Sequence, residues 1–242
     1  MVTHSVIISR QRERLFYTLM AGAIVVTVFA GFARTYFLRP YFDARPLLPL
    51  LHLHGLVFTS WVVLFVLQIS LVAAKRTDLH RRLGVAGAVL ASLVVIVGCA
   101  TAIIRAKVVD VPPGAPSPLI FLTIPLGDML VFAGLVGAGL YLRRRVAAHK
   151  RLMLLAMISL LPAAVARLPF PFIQEFSPLA FFGLSDLFIV PCLLYDLFSR
   201  QRFHAATVIG GLVIVISHPL RLVIGNTQPW LAFATWLTNW VA

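Results

Sequence analysis

Long apolar runs separated by short basic segments set the pattern of this chain. The clearest run follows His52 and His54 and continues to Ala74 without a formal charge. About 20 apolar residues suffice for a helix to cross the hydrocarbon core of a bilayer. The pattern recurs along the chain and predicts an all-α, polytopic membrane protein with seven helices, at about 15–37, 47–74, 84–104, 118–142, 152–168, 179–199 and 205–225.

The composition indicates lipid as the solvent. The chain has 242 residues, of which 60% are hydrophobic and 12% are charged, and a soluble domain of this length could not bury so much apolar surface. No low-complexity segment divides it, so we expect a single domain over 1–242. Cys99 and Cys192 lie inside apolar runs and indicate buried hydrophobic side chains rather than a disulfide framework.

The net charge of +13 would suit a nucleic-acid partner, but the positions of the charges favour a membrane. Clusters of Lys and Arg at alternate ends of predicted spans mark cytoplasmic loops, and anionic lipid attracts them. We therefore expect a protein of the bacterial cytoplasmic membrane, with its N-terminus inside, its C-terminus outside and no nucleic-acid partner. Fourteen of the 21 Lys and Arg residues lie in four such segments, at 10–14, 75–82, 143–151 and 200–202.

The C-terminal tail at 228–241 carries Trp230, Trp236 and Trp240. Tryptophan rings concentrate at membrane–water interfaces, where an apolar body meets a polar edge. The tail is therefore predicted to form an amphipathic helix lying in the outer interface.

The motif Arg-x-x-x-His recurs in the three predicted cytoplasmic loops and ends at His80, His149 and His204. One interpretation is a positive-inside loop whose histidine lies at the level of the lipid headgroups. The other is a cytoplasmic histidine cluster that binds a cofactor or senses pH, because histidine titrates near neutral pH.

Several ionisable residues fall inside the predicted spans, at one depth. Asp128, Asp186 and His218 lie 13 or 14 residues from the predicted cytoplasmic ends of their helices, which corresponds to roughly 20 Å. Arg167 and Arg221 lie about one turn further out, and His54 is nearer the outer surface. Charges at such depths are costly, so these side chains should face the bundle interior and find partners.

Three interpretations of these residues remain open. Ion pairs between Arg167 and Asp186 and between Arg221 and Asp128 would serve as scaffolding. A polar cavity in the outer half would bind a ligand or an ion. A third possibility is a metal or haem site with His54 and His218 as ligands, with room left by Gly55, Gly210 and Gly211.

Signatures of the common enzyme families are missing from the sequence, including HExxH, GxSxG and a phosphate-binding glycine loop. A mixed zinc site of His54, Asp128, Asp186 and His218 is chemically feasible, because Zn²⁺ accepts both ligand types. The sequence therefore leans away from an enzyme, and it leaves catalytic residues unassigned.

The elements GFARTYFLR, HLHG, FTSW, LFVLQ, RTDLHRRLG and HKRLMLLA resemble an uncharacterised family of bacterial multi-pass inner-membrane proteins, over almost the whole chain. The histidine-bearing hairpins are more distantly similar to cytochrome b561-like proteins, a resemblance that implies haem b between helices. Seven-helix metal hydrolases of the alkaline ceramidase and adiponectin-receptor type are also comparable. They usually carry HxxxH on the last helix, whereas His218 is followed by Pro219, Leu220 and Arg221.

The sequence favours a binding, transport or accessory protein with a polar ligand or ion site in the periplasmic half of the bundle. A haem-bearing electron-transfer protein is the first alternative, and a metal-dependent membrane hydrolase is the second. The glycines at 134, 137 and 139 could pack within the chain or against a partner membrane subunit. The expected site residues are His54, Asp128, Arg167, Asp186, His218 and Arg221.

Overall fold

The chain folds into a bundle of helices. The computed structural model describes residues 2–42, 46–109 and 117–240. All regular secondary structure in these ranges is helical, and α1 continues into a π-helical turn, Ala33–Phe37, followed by a 3₁₀ turn, Arg39–Tyr41. In chain order the helices are α1 (Val2–Phe32), α2 (Pro49–Ala73), α3 (Thr77–Val108), α4 (Pro118–Phe121), α5 (Thr123–Tyr141), α6 (Val146–Ile158), α7 (Leu161–Val165), α8 (Pro171–Glu175), α9 (Leu179–Asp186), α10 (Ile189–Arg200), α11 (Ala205–Gly225) and α12 (Gln228–Asn239).

Seven stretches of this structure are long and apolar enough to cross a membrane, which confirms the all-α, multi-pass architecture with seven candidate spans. The tail is helical as α12, and residue 241 of the predicted tail lies outside the described residues. The orientation in the membrane and an interfacial position for α12 stay predictions. The seven stretches are Gln11–Phe37, Pro49–Ala73, Thr77–Val108, Pro118–Tyr141, Val146–Val165, Leu179–Ser199 and Ala205–Gly225.

Three of the seven spans are interrupted, and each interruption begins three or four residues before a proline. A proline ring clashes with the carbonyl of the fourth residue before it, and proline has no N–H to donate to that carbonyl. Each of these spans is predicted as one helix from the sequence, but the prolines divide them into α4 and α5, α6 and α7, and α9 and α10. The residue pairs concerned are Phe121 with Pro125, Ile158 with Pro162, and Leu187 with Pro191.

Several helices begin earlier than hydropathy predicts. α3 begins at Thr77 instead of 84, and α6 begins at Val146 instead of 152. Hydropathy detects only the apolar part of a helix, whereas a polar first turn can extend it; in α3, Asp78 lies in that turn, where the helix dipole favours an acid. His80 and His149 consequently lie within helices rather than in loops.

α5 is the central helix of the bundle. It packs against α3, α6 and α11, while α1 packs against α2 and α7, and α2 packs against α3. Phe132 on α5 is completely buried, and Leu155 on α6 and Ile214 on α11 are each only 1% exposed. Of the residues expected to form the site, Asp128 lies on this central helix, and His218 and Arg221 lie on α11, which packs against it.

Candidate functional site

Asp128 and Arg221 form a buried ion pair between α5 and α11. Arg221 donates through Nη1 to Oδ1 of Asp128 and through Nη2 to Oγ of Ser217 at 3.0 Å. A Cβ atom on Gly127 would overlap the Arg221 side chain, with only 2.6 Å to its Cδ. Because Gly127 has no side chain, the Arg221 side chain can pack directly against α5. This is one of the two ion pairs that the sequence suggested.

Asp186 pairs with His218 and not with Arg167. Nδ1 of His218 lies 3.2 Å from Oδ2 of Asp186, and the imidazole stacks on Phe182 with ring centroids 4.0 Å apart. A carboxylate only accepts hydrogen bonds, so Nδ1 carries the proton that is shared with it. Asp186 is the last residue of α9, and the break before Pro191 directs it toward α11.

The two pairs belong to one group of side chains. His218 and Arg221 are three residues apart and share a face of α11. The guanidinium of Arg221 lies 6.0 Å from the ring centroid of Phe182, on which His218 stacks. We call Asp128, Asp186, His218 and Arg221 the ionisable cluster. Four of the six residues expected at the site therefore come together.

Arg167 lies elsewhere. Its guanidinium is 4.8 Å from the ring centroid of Phe32 on α1, and it donates to the carbonyl of Ala163. α7 packs so closely on α1 that a Cβ atom on Gly31 would lie 2.9 Å from Cα of Ala164. Because Arg167 lies two residues after the end of α7, it is directed toward α1, and the expected pair with Asp186 does not form.

His54 stacks on Phe58, with ring centroids 4.0 Å apart, on α2. The space that Gly55 was expected to leave for a ligand is filled, because a Cβ atom there would lie 2.6 Å from Cε2 of Tyr36. The same holds on α11, where a Cβ atom on Gly210 would lie 2.6 Å from Cδ1 of Leu155. These glycines serve helix packing, and the expectation that they make room for a cofactor is wrong.

Two of the three histidines of the repeated motif meet. The ring centroids of His80 and His149 are 6.3 Å apart, and Nδ1 of His149 lies 2.8 Å from the carbonyl oxygen of Gly139. His204 has a different role as the N-cap of α11, where its Nδ1 accepts a hydrogen bond from the N–H of Ala206 at 3.1 Å. The three histidines of the repeated motif therefore do not form one cluster.

Sequence reasoning missed a second buried ion pair. Arg151 donates through Nε to Oδ1 of Asp196 at 2.8 Å, and Thr207 donates to Oδ2 at 2.5 Å. Asp196 is completely buried and Arg151 is 5% exposed. The sequence places Arg151 in a predicted basic loop. The available signal was Asp196 itself, an acid inside a span whose nearest cations lie in the neighbouring loops.

Some buried polar atoms have no hydrogen-bond partner among the residues that the structure describes. In the ionisable cluster these atoms are Oδ1 of Asp186, Nε2 of His218 and Nε of Arg221. Three more lie on α2 and α3, at Nδ1 of His54, Nε1 of Trp61 and Oγ1 of Thr101. Such atoms usually find a partner in the protein or in a ligand.

Seven apolar helices are consistent with an integral membrane protein, whose described residues include two buried ion pairs and a partly buried imidazole–carboxylate pair. Comparison of the chain with protein-family models, curated proteins and solved structures finds no significant match. The function must therefore be argued from these side chains.

Proposed function

We propose that this chain is a multi-pass protein of the bacterial cytoplasmic membrane that binds a small cation in the ionisable cluster, as a binding, transport or accessory protein rather than an enzyme. The main support comes from Asp186 and His218. Two of their buried acceptor atoms, Oδ1 and Nε2, meet no donor within the described residues. Leaving such an atom unsatisfied costs about 1–3 kcal/mol, and a ligand that donates hydrogen bonds would remove that penalty.

The charges of the cluster favour a cation over an anion. Arg221 neutralises Asp128, and its Nη groups are occupied by Asp128 and Ser217. Asp186 has only an imidazole as its partner, so with neutral His218 the cluster carries one net negative charge. An uncompensated charge inside a membrane is costly, and a bound cation would balance it.

The number and type of the polar groups in the cluster favour an ammonium group over a metal ion as the ligand. Zn²⁺ is usually held by three or four protein ligands, whereas no group of three His, Cys, Asp or Glu side chains that could hold a metal occurs in the described ranges. An N–H cation needs only acceptors, which Asp186 and His218 supply. The Phe182 ring beside His218 adds a surface to which cations are attracted.

Thermal unfolding of the purified protein in lipid nanodiscs tests the proposal. Ammonium and potassium ions are similar in size and charge, but only ammonium donates hydrogen bonds. At 100 times its Kd, ammonium should stabilise the protein by about 2.7 kcal/mol, which corresponds to a rise in Tm on the order of 5–10 °C. Potassium and tetramethylammonium chlorides at the same ionic strength should leave Tm unchanged.

Two variants and a matched control locate the effect. Asp186→Asn and His218→Gln should abolish the ammonium response, whereas Asp78→Asn should keep it, because Asp78 is an exposed acid at the start of α3. The proposal is wrong if ammonium and methylammonium leave Tm of the native chain unchanged, or if all variants respond equally.

The haem alternative has one observation in its favour. Metal-bound histidines usually donate their second ring nitrogen to a carboxylate, and His218 holds Asp186 in this way with Nε2 left over. An absorption spectrum after expression with ample haem tests it. Axial ligation by His54 and His218 predicts a Soret band that is lost in His54→Ala and in His218→Ala, and no Soret band would contradict it.

A further inference from the structure

An open groove of about 680 Å³ lies between α2 and α3, on other helices than those that carry the ionisable cluster. We call it the α2–α3 groove; its lining residues fall between Leu56 and Leu67 on α2 and between Ala86 and Leu93 on α3. The lining is almost entirely apolar, and much of it is exposed, as Leu56 is 63% and Leu93 is 42% exposed. In a chain that spans a membrane, such a surface faces lipid.

Small side chains keep this groove open. α2 and α3 approach each other closely at Gly87, where a Cβ atom would lie 3.3 Å from Cδ2 of Leu64. Beside this contact the groove is lined by Thr59 and Ser60 of α2 and by Ala86 of α3, which are shorter than the leucines and valines around them. The space between the two helices therefore follows from the side chains that the sequence places there.

The length of the groove matches one leaflet of a bilayer. On α2 it extends from Leu56 to Leu67, which is roughly 16 Å along the helix axis. The hydrocarbon core is about 30 Å thick, so one leaflet contributes about 15 Å. A second transmembrane helix would cross the whole core, whereas one acyl chain extends through one leaflet. The length therefore favours a lipid chain over a second copy of this protein.

Cations lie just beyond one end of the groove. Arg82 shares a face of α3 with Ala86 and Val89, and its Cα lies about 6 Å along the axis from that of Ala86. Residues 75–82 carry four Lys or Arg side chains and a single acid, Asp78. The Arg82 side chain is exposed, and the salt bridges among the described residues involve other cations. An anionic group at this end of the groove would therefore meet an excess of positive charge.

We propose that the α2–α3 groove binds one anionic phospholipid, with an acyl chain along the groove and the phosphate beside Arg82. A guanidinium can donate two parallel hydrogen bonds to phosphate oxygens, and basic pockets between transmembrane helices attract acidic headgroups. A zwitterionic lipid has the same chains and phosphate, but its ammonium group offsets the charge that these cations attract. None of the groove residues belongs to the ionisable cluster, so the lipid site is independent of the proposed cation site.

The lipid that the purified chain retains tests the proposal. The protein is placed in detergent micelles with equal amounts of palmitoyl-oleoyl phosphatidylglycerol and phosphatidylethanolamine, and it is then washed with lipid-free detergent. Mass spectrometry counts the lipid that remains per chain. The native chain should retain about one phosphatidylglycerol and much less phosphatidylethanolamine, as expected for a groove with room for one acyl chain per leaflet.

Three substitutions of arginine test the headgroup contact. Arg82→Gln should lower the retained ratio of phosphatidylglycerol to phosphatidylethanolamine about five-fold, as expected for the loss of one cation beside the phosphate. Arg82→Lys keeps the charge and should keep most of the preference. Arg202→Gln removes an exposed cation from a different basic segment and should leave the ratio unchanged. On the native chain, KCl at about 1 M should weaken the preference, because it shortens the Debye length to about 3 Å.

Two substitutions to phenylalanine test the groove. Ala86→Phe would fill the groove at its basic end and should abolish retention of the lipid. Val85→Phe adds a ring at the neighbouring position, which is 71% exposed and is not among the lining residues, so retention should persist.

Equal retention of both lipids by the native chain overturns the proposal, as do equal effects of Arg82→Gln and Arg202→Gln. A lipid count that Ala86→Phe leaves unchanged overturns the assignment to the groove. A dimer in light scattering that Ala86→Phe dissociates, with no lipid retained by the native chain, overturns the proposal in favour of a second copy of the chain.

Discussion

Asp196 accepts a hydrogen bond from Nε of Arg151 at 2.8 Å across 45 residues of sequence. Its other oxygen accepts from Thr207 at 2.5 Å and from the backbone N–H of His204 at 3.2 Å. One carboxylate thus joins α6, α10 and α11 near the connection between α10 and α11. Because the donors from α6 and α11 all bind this one carboxylate on α10, the interaction holds the three helices in a defined arrangement.

Removal of either partner of this pair should destabilise the protein strongly. Arg151→Met or Asp196→Asn leaves the other charge buried and unpaired, with an expected loss of about 3–5 kcal/mol in the free energy of unfolding. The double variant should lose less than the sum of the two. Asp78→Asn is the control, because its contact with Arg76 is exposed and 3.8 Å long, so its loss should be small. Additive losses in Arg151 and Asp196 variants would contradict the pairing.

Double-variant cycles also distinguish the pairing of Asp186 that the structure has from the one that the sequence suggested. The free energies of unfolding of Asp186→Asn and His218→Gln should couple by about 0.5–3 kcal/mol, because these side chains touch. Arg167→Gln should be additive with Asp186→Asn, because Arg167 contacts Phe32 instead. Coupling between Arg167 and Asp186 would show that the cluster is arranged differently.

Hydropathy predicted the seven spans because each is an apolar stretch long enough to cross a bilayer, and that property belongs to the local sequence. The pairing of Arg221 with Asp128 was also predicted from the sequence, because Arg221 lies only about one turn from the level of Asp128. The pairing of Asp186 with His218 was not predicted, because the direction of the Asp186 side chain depends on the break that Pro191 introduces between α9 and α10. The three prolines were visible in the sequence, but Pro219 lies inside the unbroken helix α11, so a proline alone does not predict an interruption.

Arg151 shows a different limit of sequence reasoning. It follows four other cations of the third basic segment, and nothing in its neighbourhood distinguishes it from a solvated loop residue. Its burial results from the early start of α6 at Val146 and from a carboxylate 45 residues away. Long-range partners of this kind are set by tertiary packing, which a single sequence does not display.

The orientation of the bundle can be measured by cysteine labelling. In a Cys99→Ala, Cys192→Ala background, Glu175→Cys should react with a membrane-impermeant maleimide on intact spheroplasts. Arg144→Cys should react only after the membrane is permeabilised, because the basic segments mark the cytoplasmic side. Both positions are exposed in the structure, so a lack of reaction reports on the membrane and not on burial. The reverse pattern would invert the orientation.

Two glycines on α5 provide a test of the ionisable cluster that leaves its charges unchanged. Gly127→Ala would place a methyl group against the Arg221 side chain and should lower the free energy of unfolding, whereas Gly134 has no described atom within 4 Å of a built Cβ. Gly134→Ala should be neutral or gain up to about 1 kcal/mol from helix propensity. The two variants add the same group to the same helix, so their difference isolates the contact. If thermal unfolding gives equal stability for both, Arg221 does not pack where the ion pair with Asp128 requires it.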